Sequence, residues 1–271
     1  MPVHIGTLGR LVKLPYVVSQ SVTPEERYSF QTTLEGRRKA QARPVGRRTW
    51  ALSTNHFRPE EHSLLSQFTS GAWGAGPFYF VPTDAPHTNL LSAAGSLCLP
   101  GSAYQVSTGG SVLEGGPVDL GVDGWAARSW VNAGSTDFFL GYGEFIPVVP
   151  GQQVTGSAYV LGSGASVRLR WYDSNGAYMS SSSLGSTGTA AGFTRVFVTD
   201  SAPVGSAACL LVVAGASKAT RPAVTWTSQL QPWADGQGCA KAVVSAFSRD
   251  QVKSVIDHTY SNVSFTVTEV G

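Results

Sequence analysis

The residue types that could support catalysis are scattered along this sequence rather than gathered into a recognisable motif. No G-x-S-x-G turn and no Walker loop is present. The glycine-rich segment from Gly71 to Gly76 precedes a predicted strand, so it lacks the helix dipole that binds phosphate. The spacing of the five histidines fits no common metal site: His4, His56, His62, His87 and His258. These patterns predict no catalytic residue, no metal site and no cofactor.

Acid–base chemistry on a glycoside would need two carboxylates that face each other across a cleft. Asp137 and Glu144 are the pair that the sequence leaves open for this role. Both lie among glycines that predict turns, where an aspartate usually caps the turn. We therefore interpret the chain as a non-enzyme and keep a glycan-processing module as an alternative.

Aromatic side chains offer a different chemistry, because aromatic faces stack on the apolar faces of sugar rings. Successive residues of a strand point to opposite faces of its sheet, and residues 166–172 are predicted to form a strand. Trp171 should then be buried, whereas Tyr172 shares a face with Arg168 and Arg170 and should be exposed. Tyr172, Arg168 and Arg170 form the candidate glycan-binding site, although an ordinary solvated sheet face fits the same pattern.

Positive charge is concentrated in one short segment, although the formal net charge of the chain is only +2. The segment is interpreted in three ways that stay open: a solvated loop or edge strand, a contact with an acidic partner subunit, or a contact with nucleic acid. The candidate contact residues are Arg37, Arg38, Lys39, Arg43, Arg47 and Arg48.

Composition indicates the class of fold that must position these residues. With 42% hydrophobic residues, 13% charged residues and 31 glycines, the chain can bury a core and suits short strands joined by tight turns. Cys98, Cys209 and Cys239 have no metal-ligand spacing and are expected to be buried free thiols. Neither a secretion signal nor a membrane helix is apparent, so no membrane partner is expected.

The chain divides into three zones. In residues 1–86, alternation at Tyr28, Phe30 and Thr32 predicts a strand with one buried face. A helix is predicted to begin at Pro59 and end before Gly71. Residues 87–232 are rich in Gly, Ser, Ala and Val, and strand-like runs recur there at regular spacing. A hairpin turn is predicted at residues 173–176, where Asn-Gly tolerates positive φ. This middle zone predicts an antiparallel β-sandwich of jelly-roll type.

The third zone, residues 233–271, does not continue the sandwich pattern. Residues 240–247 predict an apolar strand, and Ser248 to Gln251 have the form of a capping box that predicts a short helix through Ile256. The strand that follows, residues 260–269, alternates clearly, and its inward face is predicted to consist of Val263, Phe265 and Val267.

An unpaired terminal strand would expose its backbone, so this strand is expected to pair with the N-terminal zone. We predict that residues 1–86 and 233–271 form one discontinuous domain. Residues 87–232 are then a sandwich inserted into it.

Five segments of the end zones carry a resemblance to a known family: residues 30–38, 48–50, the helix ending at Phe68, 71–78 and 264–271. They resemble minor tail proteins of actinobacterial siphophages, and among these the distal tail protein class. The resemblance covers well under half of the chain. It implies a tail-tube-like β-barrel or split barrel with a flanking helix, usually arranged as a hexameric ring between the tail tube and the tip hub.

The middle zone is similar to a carbohydrate-binding module of the jelly-roll kind, on residues 148–160 and 167–176. This pattern specifies fold better than ligand. Such insertions are common in the distal tail class, and we carry over no sugar-contacting residue from the resemblance.

The two resemblances together imply an all-β chain with minor α that forms part of the tip of a phage tail. The implied partners are further copies of itself, the tail tube protein, the tip hub or tail-associated protein and host cell-wall carbohydrate, with DNA only in transit through the lumen. The protein would be made in the host cytoplasm and located in the virion. The alternatives are a separate adsorption or side-fibre protein of the virion and, again, a glycan-processing module.

Overall fold

The computed structural model of the protein describes residues 2–14, 17–24, 28–42, 47–99, 104–106, 112–119, 126–132, 137–140, 144–189, 191–255 and 258–270. In chain order, the elements are β1 (Val3–Thr7), β2 (Arg10–Leu14), β3 (Val17–Pro24), β4 (Tyr28–Thr32), β5 (Arg38–Ala42), β6 (Arg48–Phe57), α1 (Pro59–Ser70), β7 (Phe78–Val81), α2 (Ala93–Ser96), β8 (Tyr104–Val106), β9 (Val112–Asp119), β10 (Ala126–Asn132), β11 (Phe138–Leu140), β12 (Ile146–Pro147), β13 (Gln153–Leu161), β14 (Ser166–Tyr172), β15 (Tyr178–Ser181), β16 (Thr194–Ser201), β17 (Ala208–Ala214), β18 (Lys218–Thr225), β19 (Cys239–Val255) and β20 (His258–Glu269). The predicted all-β class with little helix is confirmed.

The chain divides into two compact units. The first comprises Met1–Ile5, Val12–Thr83 and Lys241–Gly271, and the second comprises Gly6–Leu11 and Asp84–Ala240. The sequence predicted domain boundaries near residues 86 and 233. In the structure, the chain passes from one unit to the other at residues 83–84 and 240–241. Whether the inserted unit folds alone stays a prediction.

The first unit is built on a seven-stranded sheet with the order β2-β1-β7-β19-β20-β6-β3. The final strand β20 pairs with β6, placing Phe265 opposite Leu52 and Val267 opposite Trp50. All four side chains are at most 2% exposed. The predicted inward face of β20 is therefore confirmed, because alternating apolar residues bury one side of a strand.

Helix α1 begins and ends where the start and stop signals in its sequence predict. Proline stands in the first turn, and the carboxylate of Glu61 accepts a hydrogen bond from the backbone N–H of Arg58 at 3.1 Å. The helix ends at Gly71, whose φ of 79° favours a residue without a Cβ. Leu65 and Phe68 form its buried side. No helix in the described part of the chain has the length and hydrophobicity needed to cross a membrane.

The helix predicted after Ser248 is wrong, because these residues continue strand β19. The hydroxyl of Ser248 forms a hydrogen bond with the hydroxyl of Ser264 on β20, at 2.7 Å, rather than capping a helix. Local register shifts occur between Ser245 and Ser248, where Ala246 has a φ of 49°, and pairing with β20 resumes beyond them. A long ladder of interstrand hydrogen bonds outweighs the one or two bonds that a cap provides.

The second unit is a sandwich of two antiparallel sheets, as predicted. Their strand orders are β16-β13-β18-β10-β9 and β15-β14-β17-β11-β8, and β12 pairs additionally with β17. The sheets approach closely at Gly156, where an added Cβ would lie 2.7 Å from the Leu211 side chain and 3.0 Å from that of Leu169. Leu169 and Leu211 are completely buried and identify the interior face of the second sheet.

The segments through which the chain enters and leaves the sandwich are hydrogen-bonded to each other. The N–H of Gln237 donates to the carbonyl of Asn89 at 2.9 Å, and the N–H of Gly238 donates to that of Leu91 at 3.0 Å. The entering segment also pairs with β18, since the N–H of Leu90 donates to the carbonyl of Val224 at 2.7 Å. Residues 234–240 therefore belong structurally to the sandwich.

Candidate functional site

One side of the second sheet of the sandwich combines aromatic rings with arginines. On β14, Val167, Leu169 and Trp171 point into the sandwich and are at most 1% exposed. The burial of Trp171 confirms the prediction made for it. The intervening residues point to the opposite side of the sheet. We name this side the arginine face, defined by Phe139 on β11, Arg168, Arg170 and Tyr172 on β14, and Tyr178 on β15.

Arg168 forms an ion pair with Asp137, just before β11. Both side chains are about three-quarters buried, so the pair is only partly accessible to water. The carboxylate of Asp137 is therefore committed to a structural contact with a cation. This contact disfavours Asp137 as one of two catalytic carboxylates with Glu144.

Arg170 differs from Arg168 in having no counter-ion among the described residues. Its guanidinium lies over the Phe139 ring at 4.6 Å from the centroid and over the Tyr178 ring at 5.7 Å. Within the described part of the chain it forms no ion pair, and its buried Nε has no hydrogen-bond partner. Cation–π contacts orient the guanidinium without neutralising it.

Tyr172 is buried, and the prediction that it is exposed is wrong. Only 8% of its surface is accessible, and it packs in a cluster with Phe139, Leu210 and the partly buried Leu8 and Phe145. Leu8 belongs to the turn Gly6–Leu11, which is part of the second unit. The alternation within β14 indicates the correct side of the sheet but says nothing of a distant segment that covers it.

The turn Gly6–Leu11 lies close to the β14–β15 turn, and this close approach depends on a glycine next to Leu8. Gly9 has a φ of 74°, and an added Cβ there would lie 2.9 Å from the Cβ of Ser174 in the β14–β15 turn. A side chain at this position would therefore be strained and crowded. Gly9 allows the turn that carries Leu8 to approach Ser174, and Leu8 packs against the cluster that contains Tyr172.

Tyr178 is the exposed aromatic residue of this face, and it was not singled out from the sequence. It is 57% exposed, its hydroxyl forms a 3.0 Å hydrogen bond with that of Ser181, and its ring centroid lies 6.0 Å from that of Tyr172. The two tyrosines are cross-strand partners because the register shifts by one residue after Trp171. The Asn-Gly turn predicts that β14 and β15 pair, but a two-residue turn would place Met179 opposite Tyr172, so the sequence gives no signal for the observed pairing.

The basic segment of the first unit forms a separate two-stranded ribbon, β4–β5. Its turn is closed by hydrogen bonds between Thr33 and Arg37 and contains Gly36 at a φ of 76°. The candidate contact residues Arg37, Arg38 and Lys39 are all exposed. The Nε of Arg37 lies 4.0 Å from the Oε2 of Glu35, and such an exposed ion pair contributes little to stability.

The ribbon also exposes apolar surface. Phe30 is 54% exposed beneath the guanidinium of Arg38, at 4.4 Å, and Leu34 at the turn is fully exposed. The sequence pattern predicted that one face of β4 would be buried, and for Phe30 this prediction is wrong. No sheet of the same unit pairs with the ribbon among the described strands.

The remaining predicted contact residues divide three ways. Arg47 is exposed, and Arg43 lies outside the described residues. Arg48 is only 9% exposed and binds Glu269 through its backbone N–H, Nε and Nη2 at 3.2, 3.1 and 3.3 Å. Arg48 therefore joins β6 to β20 and is not available as a ring or lumen contact.

Candidate nucleophiles and metal ligands contribute little to the arginine face or to the ribbon β4–β5. Within the described ranges, no three His, Cys, Asp or Glu side chains lie close enough together to hold a metal ion. The three cysteines are buried thiols, as predicted. Burial raises the pKa of Cys98 to about 12 and also raises the pKa of Cys209, so neither thiol is reactive at neutral pH.

Comparison with known proteins shows weak structural likenesses. No protein-family model matches the sequence, and no curated protein sequence matches it. One similar solved structure is the enzymatically active domain of tailspike protein 4 of bacteriophage CBA120, with 15% identity and a TM-score of 0.41. The match covers 52% of this chain but only 22% of that chain.

Two further similar structures contain carbohydrate-binding modules. The Clostridium thermocellum xylanase 10B CBM22-1–GH10 modules have 11% identity and a TM-score of 0.36, with coverage of 52% of this chain and 27% of that chain. The module CBM6cm-2 of Cellvibrio mixtus lichenase 5A has 13% identity and a TM-score of 0.30, with coverage of 46% and 98%. At these identities and scores, none of the three likenesses identifies what this chain binds.

Proposed function

We propose that this protein is a non-enzymatic structural component of a phage tail tip, with a distal-tail-type ring domain and an inserted sandwich that binds host glycans. The resemblance of the end zones to siphophage minor tail proteins supports the tail assignment. The proposed partners are further copies of the chain in a hexameric ring, the tail tube protein and the tip hub. The alternative is a separate adsorption or side-fibre protein of the same virion.

The exposed ribbon β4–β5 is the observation that carries the assembly proposal. A two-stranded hairpin is marginally stable alone, and this one has Phe30 and Leu34 exposed rather than packed on a sheet. A neighbouring subunit that covers the ribbon would bury this apolar surface and provide acids for Arg37 and Lys39. Ring closure requires such head-to-tail contacts between unlike surfaces.

Assembly is expected to depend on the cations of the ribbon. Replacing Arg37 and Lys39 with Ser should reduce the population of the ring-sized species, because the contacts are exposed ion pairs that salt also weakens. The measurement is mass photometry or electron microscopy of purified protein, alone and mixed with its tail-tube partner, between about 50 mM and 500 mM salt.

The matched control replaces Arg10 and Lys13, two exposed cations outside the ribbon, with Ser. This variant should assemble like the unmodified protein. Monomer under every condition, even with tail partners present, would favour the side-fibre alternative. A ribbon variant that binds DNA less well but forms normal rings would instead indicate contact with nucleic acid in the lumen.

The arginine face supports the second part of the proposal, glycan binding by the sandwich. It presents the exposed ring of Tyr178 beside an ordered guanidinium, the combination of apolar surface and donors that suits a saccharide. The commitment of Asp137 to Arg168 argues for binding without hydrolysis. Turnover of cell-wall polysaccharide by the purified protein would contradict the non-enzymatic assignment.

The insertion itself leads to a prediction about fragments. A fragment of residues 84–240 should fold alone and give dispersed NMR shifts, because it contains both sheets and both connecting segments and lacks only the turn Gly6–Leu11 of the second unit. A fragment of residues 87–232 should be less stable, since it lacks the carbonyl of Ala234 to which the side chain of Asn89 donates. An unfolded longer fragment would contradict the insertion.

A further inference from the structure

We infer that the arginine face selects acidic saccharides, with Arg170 binding the anionic group and Tyr178 stacking on the sugar ring. This inference rests on the proposed glycan-binding function and specifies the class of its ligand. It begins from the unequal pairing of the two arginines of β14.

The charges of the arginine face do not balance. Arg168 and Arg170 are two residues apart on one strand, so their Cα atoms are separated by roughly 7 Å. Asp137 pairs with Arg168, and Arg170 has no carboxylate partner in the described part of the chain. A ligand carboxylate or phosphate would neutralise the remaining cation.

The side chain of Arg170 is also ordered before such a ligand binds. Its guanidinium lies over Phe139 and Tyr178, two rings that limit its motion and reduce its contact with water. An arginine that is already ordered loses less entropy when it binds a carboxylate through two parallel hydrogen bonds.

The aromatic half of the site is Tyr178. More than half of its surface is exposed, and its hydroxyl is fixed by Ser181 at 3.0 Å. Because the same ring borders the guanidinium of Arg170, a sugar stacked on the tyrosine would place its substituents near the cation. Tyr172 and Phe139 are buried beneath these groups and support them without being available for stacking.

The experiment compares one saccharide in charged and neutral forms with the full-length protein. Tetragalacturonate is the acidic probe, and its methyl ester is the neutral probe with the same rings and linkages. Binding measured by calorimetry or NMR titration should be about tenfold tighter for the acid and should weaken as salt is raised. Oligosaccharides bearing phosphate rather than carboxylate then distinguish the two sources of negative charge.

Two variants assign the effect to residues. Arg170→Met keeps the aliphatic stem over Phe139 but removes the charge, and it should abolish the preference for the acid. Its matched control is Arg195→Met on the other sheet, where an arginine likewise lies over a tyrosine, at 5.8 Å from the ring of Tyr159. Tyr178→Ala should weaken both probes, whereas Tyr178→Phe should retain binding.

The outcomes separate the inference from the function on which it rests. Equal affinity for acid and ester, unchanged by Arg170→Met, would overturn acidic selectivity and leave glycan binding standing. Loss of the preference in the Arg195 variant as well would also overturn the assignment to Arg170. If neither these probes nor purified host cell walls bind, glycan binding itself is wrong. Thermal unfolding of each variant confirms that its fold is retained.

Discussion

Asn89→Ala is expected to destabilise the sandwich by about 4 kcal/mol, because the side chain satisfies four backbone groups at once and most of these bonds are buried. Asn89 is fully buried. Its Nδ2 donates to the carbonyls of Pro222 and Ala234 at 3.1 and 3.0 Å, and its Oδ1 accepts from the N–H groups of Leu91 and Val224 at 3.2 and 3.1 Å. Truncation would leave all four without this partner. Hydrogen–deuterium exchange of peptides spanning residues 84–92 and 222–240 would locate the loss.

Asn89→Asp tests whether hydrogen bonding or packing is responsible. The carboxylate has the same shape and can accept from both N–H groups, but it cannot donate to the two carbonyls. Burial and these carbonyls should raise the pKa of the introduced acid above its unfolded value. Stability should then be lost as pH rises through the folded pKa and partly recovered on acidification. Asn175→Ala, at an exposed turn of the same unit, should cost about 0.5 kcal/mol or less.

A pH-independent loss in Asn89→Asp, or a loss of less than about 1 kcal/mol in Asn89→Ala, would show that the donor bonds do not hold the two connecting segments together. The location of Asn89 also bears on the prediction that the sandwich is an inserted unit. Asn89 links the segment entering the sandwich to the segment leaving it. We therefore expect the second unit to bring its ends together without help from the first unit.

The features that the sequence predicts well are those with local causes. Helix α1 follows from proline and acids at one end and glycine at the other. The buried face of β20 follows from period-two alternation. The Asn-Gly hairpin and the buried side of β14 likewise follow from residues that are close together in the sequence.

The failures share a different cause, which is contact between residues far apart in the chain. The capping pattern at Ser248 is real, but pairing with β20 overrides it. Tyr172 belongs to a cluster against which the distant Leu8 packs, and Arg48 is bound by Glu269, 221 residues away. Tyr178 and Phe139 join the arginine face only through the register of strands β15 and β11, which periodicity alone does not give.

Phe265→Ala is expected to destabilise the first unit by about 4 kcal/mol, within the range for removing a buried phenylalanine. The side chain is 2% exposed and stands opposite Leu52 on β6. Its removal would leave a cavity in the central part of the seven-stranded sheet, between β19 and β6. Because a chain with two units need not unfold in one step, hydrogen exchange of β19, β20 and β6 is more informative than a single melting temperature.

The first unit also contains the control for this substitution. Phe30→Ala removes the same group from the exposed ribbon, where 54% of the ring is accessible, and should change the stability of an isolated subunit by about 0.5 kcal/mol or less. In the proposed ring the comparison should change, because a neighbouring subunit that covers the ribbon would make Phe30 a buried contact. Phe30→Ala should then weaken assembly without altering the monomer, whereas Phe265→Ala should destabilise the monomer itself. A change of only a few tenths of a kcal/mol in Phe265→Ala would mean that β20 is not an integral strand of the sheet, and the discontinuous first domain would be wrong.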